Sequence, residues 1–144
     1  MTEIGLSAFD GCTSVHFIVN ARNEFYCSES GALFDKEKKT LISGYALVRD
    51  GLCNIPESVT KIDGSIYGGA FSGCESLEEV YIPAFVTEIG EFAFSWCTSL
   101  KQVHIPDSVT EIGEHAFSYC NSVYFIVDPN NKHFYSKSGK LCRC

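Results

Sequence analysis

The sequence predicts an α/β solenoid, a strand-rich right-handed superhelix of short repeats with brief helical turns and one β-hairpin insertion. Two spacings carry this expectation. The four prolines stand at positions 56, 83, 106 and 129, so the last two intervals between them are equal. Cys74, Cys97 and Cys120 keep that same interval, and Cys12 precedes them at a longer one. A fixed period of this kind indicates that each unit forms one coil of a stacked array.

The strand of each coil is indicated by apolar residues at alternate positions. Leu100, Val103 and Ile105 have the spacing L-x-x-L-x-L, and the same spacing occurs one repeat earlier, from Leu77 to Ile82. Because successive strand side chains point to opposite faces, Val103 should pack inward while Gln102 and His104 lie on an exposed sheet. This spacing, together with a period of about 20 to 29 residues, is typical of a leucine-rich-repeat solenoid.

The remainder of each coil is predicted to contain a second short strand, a glycine turn and a helical turn. A proline directly after the first strand cannot donate to a β-ladder, so it ends the pairing. Residues 109–112 then have an extended pattern, and Gly113 turns the chain as Gly90 does one coil earlier. Residues 114–117 are expected to form one helical turn that places Phe117 in the core between coils.

Two segments interrupt the regular period. Four extra residues after Ile62, in the glycine-containing stretch 64–73, are expected to form a protruding loop, since the stretch lacks the lysine of a phosphate-binding loop. Residues 31–34 and 40–42 are apolar and β-favouring, and the charged segment 35–39 separates them. This pattern predicts a β-hairpin that extends the sheet.

A longer symmetry relates the two ends of the chain. Residues 2–33 match residues 110–141 without a gap, so the segment that begins near residue 20 is a recurring element. We therefore interpret residues 1–144 as a single repeat domain with partial repeats at both ends and a hairpin-containing insertion at 20–54. Both termini are expected to cut through a longer array.

Composition and charge exclude several classes of function. The 144 residues are 45% hydrophobic and carry a net charge of −7, which supports one folded domain and argues against a nucleic-acid partner. No apolar run approaches the roughly 18 residues of a membrane span, so we expect no membrane insertion. The amino-terminal residues do not have the shape of a signal peptide.

The eight cysteines and four histidines do not form a metal-ligand or nucleophile pattern. The four cysteines of the repeat are expected to be buried free thiols that suit loop carbonyls. Cys27 and Cys53 bracket the hairpin, and a disulfide between them stays open for an oxidising compartment. Cys142 and Cys144 lack a second ligand pair and lie at an end that we expect to be frayed. The sequence thus predicts no catalytic residue, no metal and no cofactor.

The exposed strand face is the best candidate for a recognition surface. Solenoids present such extended faces to protein partners, and tyrosine is enriched at binding hot spots. The register of the last coil stays open, since either Phe125 or Ile126 could point inward. Trp96, in the turn before the repeat cysteine, is either a capping hydrophobe or an exposed contact. The candidate protein-binding residues are Glu79, Tyr81, Gln102, His104 and Tyr124.

The repeat unit resembles a known family. The pattern I-P-x-S-V-T-x-I-G-x-x-A-F-x-x-C-x-S-L-x-x-V-x is similar to the BspA-like, Treponema-type leucine-rich repeats, and residues 23–45 resemble the segment that interrupts those arrays. The resemblance covers nearly the whole chain and carries no catalytic residue. It implies a cell-surface or extracellular protein of host-associated bacteria or some protists, with a role in adhesion to host cells, matrix proteins or other microbes.

These observations predict a non-enzymatic protein–protein interaction module that binds a host cell-surface or extracellular-matrix protein through its sheet. The alternative is a structural stalk or spacer segment that has no ligand of its own. The ends of the solenoid are expected to expose core residues, which would also allow a homodimer.

Overall fold

The computed structural model describes residues 1–5, 8–9, 12, 14–66 and 68–144. Most of its regular structure is short strands, and one 3₁₀ turn covers Tyr45–Leu47. The strands are β1 (Tyr26–Glu29), β2 (Ala32–Asp35), β3 (Thr40–Ser43), β4 (Val48–Arg49), β5 (Leu52–Cys53), β6 (Lys61–Ile62), β7 (Gly64–Ser65), β8 (Gly68–Gly69), β9 (Glu79–Tyr81), β10 (Glu88–Ile89), β11 (Gln102–Ile105), β12 (Glu111–Ile112), β13 (Tyr124–Val127), β14 (Phe134–Lys137) and β15 (Lys140–Arg143).

Two sheets run along the stacked coils. The five-stranded sheet has the order β13-β11-β9-β5-β4, and the six-stranded sheet has the order β1-β2-β3-β6-β10-β12. Equivalent strands of successive coils pair in parallel: β9 with β11, β11 with β13, β6 with β10, and β10 with β12. Each coil thus contributes one strand to each sheet, as the two extended segments per repeat predict. The result is a β-solenoid of about four coils.

The core consists of ladders in which each repeat position stacks on its equivalent in the next coil. Phe71, Phe94 and Phe117 form the aromatic ladder, with ring centroids 4.9 and 5.2 Å apart and planes within 8° of parallel. Aliphatic ladders surround it, and their members are almost wholly buried: Val59, Val86 and Val109; Ile62 and Ile89; Leu77 and Leu100; Val80 and Val103. Phe125 is buried and Ile126 is exposed, which resolves the open register of the last coil.

The helical part of the α/β prediction is wrong. Residues 114–117 form hydrogen-bonded turns and no helix, with Ala116 N–H bonded to the Gly113 carbonyl at 3.2 Å. His115 and Tyr119 adopt the left-handed conformation, with φ of 59° and 60°, and this interrupts the run of right-handed residues that a helix needs. The backbone bonds to the neighbouring coil instead, as Phe94 N–H does to the Ala116 carbonyl at 2.8 Å.

The predicted hairpin is present, and it forms one end of the six-stranded sheet. Strands β2 and β3 pair antiparallel, and β3 pairs in parallel with β6 of the first regular coil. Strand β1 adds to β2 through a Ser30–Gly31 turn with positive φ at both residues, which matches the right-handed twist of the strands. Strands β14 and β15 repeat this pair in the second copy of the long symmetry, around Ser138–Gly139.

The glycines after the second strand serve a different purpose from the predicted one. Gly90 and Gly113 are absent from the residues with positive φ, so the turn does not require their conformational freedom. A Cβ at Gly90 would lie 2.5 Å from the backbone nitrogen of Gly64, and one at Gly113 would lie 2.4 Å from that of Glu91. Glycine is needed because the backbones of successive coils approach closely at this position. The four-residue insertion ends in the small antiparallel ribbon β7–β8, with Ile66 exposed.

Candidate functional site

The five candidate binding residues lie on the outward face of one sheet. The parallel register of β9, β11 and β13 places them in two rows across the coils. One row contains Glu79, Gln102 and Tyr124, and the next contains Tyr81 and His104, followed by Ile126. Tyr81 and Tyr124 are 54% and 55% exposed, so two phenol rings reach solvent from this surface, on strands that β11 separates.

Three of these residues make a connected cluster that spans two coils. The imidazole of His104 lies over the ring of Tyr81, with centroids 4.0 Å apart and planes within 16°. His104 Nε2 is 2.9 Å from Glu79 Oε1, and the Tyr81 hydroxyl donates to the same carboxylate. The hydrogen bond from Tyr81 and then that from His104 lower the pKa of Glu79, and the carboxylate raises the pKa of Tyr81. The cluster holds an aromatic pair and an anion in one fixed arrangement.

A second exposed set of rings lies on the turns. Trp96 stacks on Tyr119 with centroids 4.4 Å apart and planes within 14°, and the two rings are 54% and 61% exposed. Both residues have φ near +60°, a conformation that costs a residue other than glycine about 1 kcal/mol or more. Of the two alternatives for Trp96, the structure favours an exposed contact, because the indole packs on a solvent-facing neighbour and not over the core.

The repeat cysteines are structural thiols, although their burial varies. Cys74 and Cys97 are buried and Cys120 is half-buried. The Cys97 thiol donates to the Phe71 carbonyl and the Cys120 thiol to the Phe94 carbonyl, each at 3.2 Å. A hydrogen bond with the Cys120 thiol and burial raise the pKa of Cys97. The prediction of burial is wrong for Cys12, which is exposed in the partial repeat that the insertion separates from the regular coils.

The remaining cysteines are free thiols, and all but Cys144 lie in strands. Cys27 lies on β1 of the six-stranded sheet and Cys53 on β5 of the five-stranded sheet, and the disulfide left open between them is not formed. Burial raises the pKa of Cys53. The expectation of a frayed carboxyl terminus is wrong, since Cys142 pairs with Tyr135 in the β14–β15 ladder and Cys144 N–H bonds to the His133 carbonyl at 2.9 Å.

The described residues provide little for catalysis or metal binding. No three His, Cys, Asp or Glu side chains within these ranges are grouped so that they could hold a metal ion. His115 Nδ1 is 3.1 Å from Ser118 Oγ, but the two residues are three positions apart in one turn, and the imidazole stacks on Phe92. A cleft of about 180 Å³ between the hairpin and the first coil includes Tyr26 and Asp63, and burial raises the pKa of that Asp63 carboxyl.

The stacked coils, their paired sheets and the exposed strand face define a leucine-rich-repeat solenoid. The chain belongs to the family described as "BspA type Leucine rich repeat region (6 copies)", whose sequence profile matches residues 64–142. The predicted resemblance is thereby confirmed. A comparison with curated proteins gives no match. Within the part of the chain that the structure describes, no helix is long and apolar enough to cross a membrane.

Three solved structures are similar to this chain at low sequence identity, and the first two share its fold. The pneumococcal vaccine antigen PcpA is 20% identical, with a TM-score of 0.59 over 84% of this chain and 35% of the other. A leucine-rich repeat protein from Eubacterium ventriosum is 23% identical, with a TM-score of 0.59 over 92% of this chain and 42% of the other. A leucine rich cell surface protein from Faecalibacterium prausnitzii is 24% identical with a TM-score of 0.41, over 90% and 47%. The chain therefore spans less than half the length of these proteins.

Proposed function

We propose that the chain is a non-enzymatic protein-binding module of a cell-surface protein, and that it adheres to host or matrix proteins through the outward face of the five-stranded sheet. The observation that carries this proposal is the cluster of Tyr81, His104 and Glu79. Tyrosine is enriched among residues that contribute most binding energy, and contacts with fixed geometry lose little entropy on association. The similarity in fold to a pneumococcal vaccine antigen supports display on a cell surface.

The surroundings of the cluster suit a protein partner of ordinary size. Tyr124 and Gln102 extend the face into the next row of the sheet, and Lys101 and Glu78 form an ion pair of 2.6 Å next to it. Aromatic anchors with charged neighbours at the rim are the usual composition of a protein interface. An exposed strand face favours a folded protein over a small molecule, because small molecules usually bind in concave pockets.

The test is binding of the purified chain to a panel of immobilised host-matrix and host cell-surface proteins, measured by biolayer interferometry. For any protein that binds, Tyr81→Ala combined with His104→Ala should weaken the affinity about tenfold or more, as expected for the loss of hot-spot residues. Phe85→Ala is the matched control, because this 63% exposed ring lies outside strands β9 and β11.

Two outcomes would contradict the proposal. Uniform absence of binding across a broad panel would favour the stalk or spacer, which has no ligand of its own. Binding that Phe85→Ala weakens as much as the double substitution would place the contact outside the sheet face.

A further inference from the structure

The column of Gly73, Trp96 and Tyr119 has an empty position. Gly73 N–H bonds to the Ser95 carbonyl at 2.7 Å, and Trp96 N–H bonds to the Ser118 carbonyl at 2.9 Å. Gly73, Trp96 and Tyr119 therefore occupy equivalent positions in three successive coils. Each coil of the column contributes a ring except the first, where glycine provides no side chain.

The missing ring leaves one face of the indole open. Tyr119 covers the other face of Trp96 with centroids 4.4 Å apart, and the indole is still 54% exposed. A Cβ built at Gly73 would meet nothing within 4 Å. The space beside Trp96 at the level of Gly73 is called here the indole slot, and a planar group placed there would stack on the indole as Tyr119 does on its other side.

The column keeps its large rings in spite of their conformational cost. Gly73, Trp96 and Tyr119 all have positive φ, at 75°, 58° and 60°, and glycine is the residue that adopts this region without strain. Two of the three positions nevertheless carry large exposed aromatic side chains, which burial does not require. Strained residues of this kind cluster at ligand-binding sites.

Charge selects which planar group fits the slot. The chain has a net charge of −7, and the exposed Glu75 lies two residues beyond Gly73, in the turn that follows. Tryptophan is the aromatic side chain that attracts cations most strongly, and the planar guanidinium of arginine stacks on aromatic faces while its N–H groups bond a carboxylate. A neutral ring would gain the stacking but nothing from the carboxylate.

We propose that the indole slot binds an arginine side chain of a partner polypeptide, stacked on Trp96 at the level of Gly73 and paired with Glu75. This site lies on the turns, on residues that the sheet face does not use, and it stands independently of the function proposed above. Arginine on an exposed loop of the partner would enter the slot as the next member of the aromatic column.

The chain contains a single tryptophan, so its indole N–H gives one side-chain resonance in the NMR spectrum of ¹⁵N-labelled protein. We expect Nα-acetyl-arginine methylamide to shift that resonance with a Kd at least fivefold lower than its citrulline counterpart, which has the same shape without the charge. The lysine counterpart, which is charged but not planar, should also bind more weakly than the arginine compound.

Two substitutions at Gly73 separate occupancy of the slot from strain. Gly73→Tyr supplies the missing ring and should weaken arginine binding at least tenfold. Gly73→Asn places a short side chain at the same left-handed backbone position, which asparagine adopts readily. It should leave the Kd within about twofold. Glu75→Gln should weaken binding about threefold or more, and it provides a readout that does not depend on how the Gly73 variants fold.

Several results would overturn the proposal. They are equal affinity for the arginine and citrulline compounds, unchanged binding in Gly73→Tyr or in Glu75→Gln, and no shift of the indole resonance at 50 mM ligand. A neutral N-acetylglucosamine oligomer that shifts the resonance at lower concentration than the arginine compound would assign the slot to a sugar ring instead.

Discussion

Phe94 is the middle ring of the core ladder, and its removal should be the most costly aromatic substitution in the chain. The side chain is wholly buried and stacks on Phe71 and Phe117, at 4.9 and 5.2 Å. Burial of a phenylalanine side chain removes about 150 to 250 Å² from water. At about 25 cal/mol per Å², this area corresponds to about 4 to 6 kcal/mol.

Two corrections bring the expected cost of Phe94→Ala to about 4 kcal/mol. The denatured chain already buries part of this area and alanine keeps its methyl group, which lowers the figure to about 3 kcal/mol. The loss of two ring stacks adds about 1 kcal/mol. For a chain of this length, the melting temperature should fall by about 10 to 15 °C.

The assay is urea unfolding, followed by far-ultraviolet circular dichroism and by the fluorescence of Trp96. Agreement between the two probes would show that the coils unfold together, which is the condition for a free energy of unfolding in a repeat protein. Phe85→Ala is the matched control, because the ring is 63% exposed and its removal should change the free energy by about 0.5 kcal/mol or less. A cost for Phe94→Ala below about 1.5 kcal/mol, or equal to that of Phe85→Ala, would refute the ladder as a main source of stability.

Three further predictions concern the packing of the coils, the buried carboxyl and the thiols. Gly90→Ala should cost about 1 to 3 kcal/mol in urea unfolding because its Cβ would lie 2.5 Å from the Gly64 nitrogen of the preceding coil, whereas Gly5→Ala, with open space around it, should cost little. Burial raises the pKa of Asp63, so the folded state binds the carboxyl proton more tightly than the unfolded state does. The stability that the protonated carboxyl contributes to the fold is therefore lost as the pH rises through the native pKa. Asp63→Asn should therefore stabilise the chain more at pH 7 than at pH 3, and an equal effect at both would contradict this linkage. Iodoacetamide at pH 8 should modify the exposed Cys144 within minutes and leave the buried Cys97 unmodified in native protein, as read by mass spectrometry; equal rates would show that the coils open readily.

The interior of the solenoid could be predicted from the sequence because its positions repeat. Val80 and Val103 occupy equivalent positions of successive repeats and meet as parallel partners, so the period alone specifies which residues stack. The alternation of side chains along a strand then decides which of them point inward. The β2–β3 hairpin was equally predictable, since apolar strand residues flank a charged turn.

The turns were harder to predict because their conformation depends on contacts between coils. Nothing in the pattern around His115 indicates a left-handed residue, so the segment resembled a helical turn. The role of Gly90 follows from the backbone of Gly64, which is distant in sequence and lies in the stretch that contains the insertion. The short β4–β5 hairpin was missed, although its Asp50–Gly51 pair is a strong hairpin signal.

The repeat period does not determine which side chains occupy the outward positions of the sheet. The parallel pairing of β9 and β11 fixes the positions of Tyr81 and His104. Many other polar pairs would fit there, because neither residue fills the core. Their stacking and the bond between His104 and Glu79 arise from one coil's contact with the next, as does the Trp96–Tyr119 stack. Side chains that depart from the repeat without a gain in burial are therefore the places where we look for contact with a partner. The sheet cluster and the indole slot are two such places, and they can be tested separately because they share no residue.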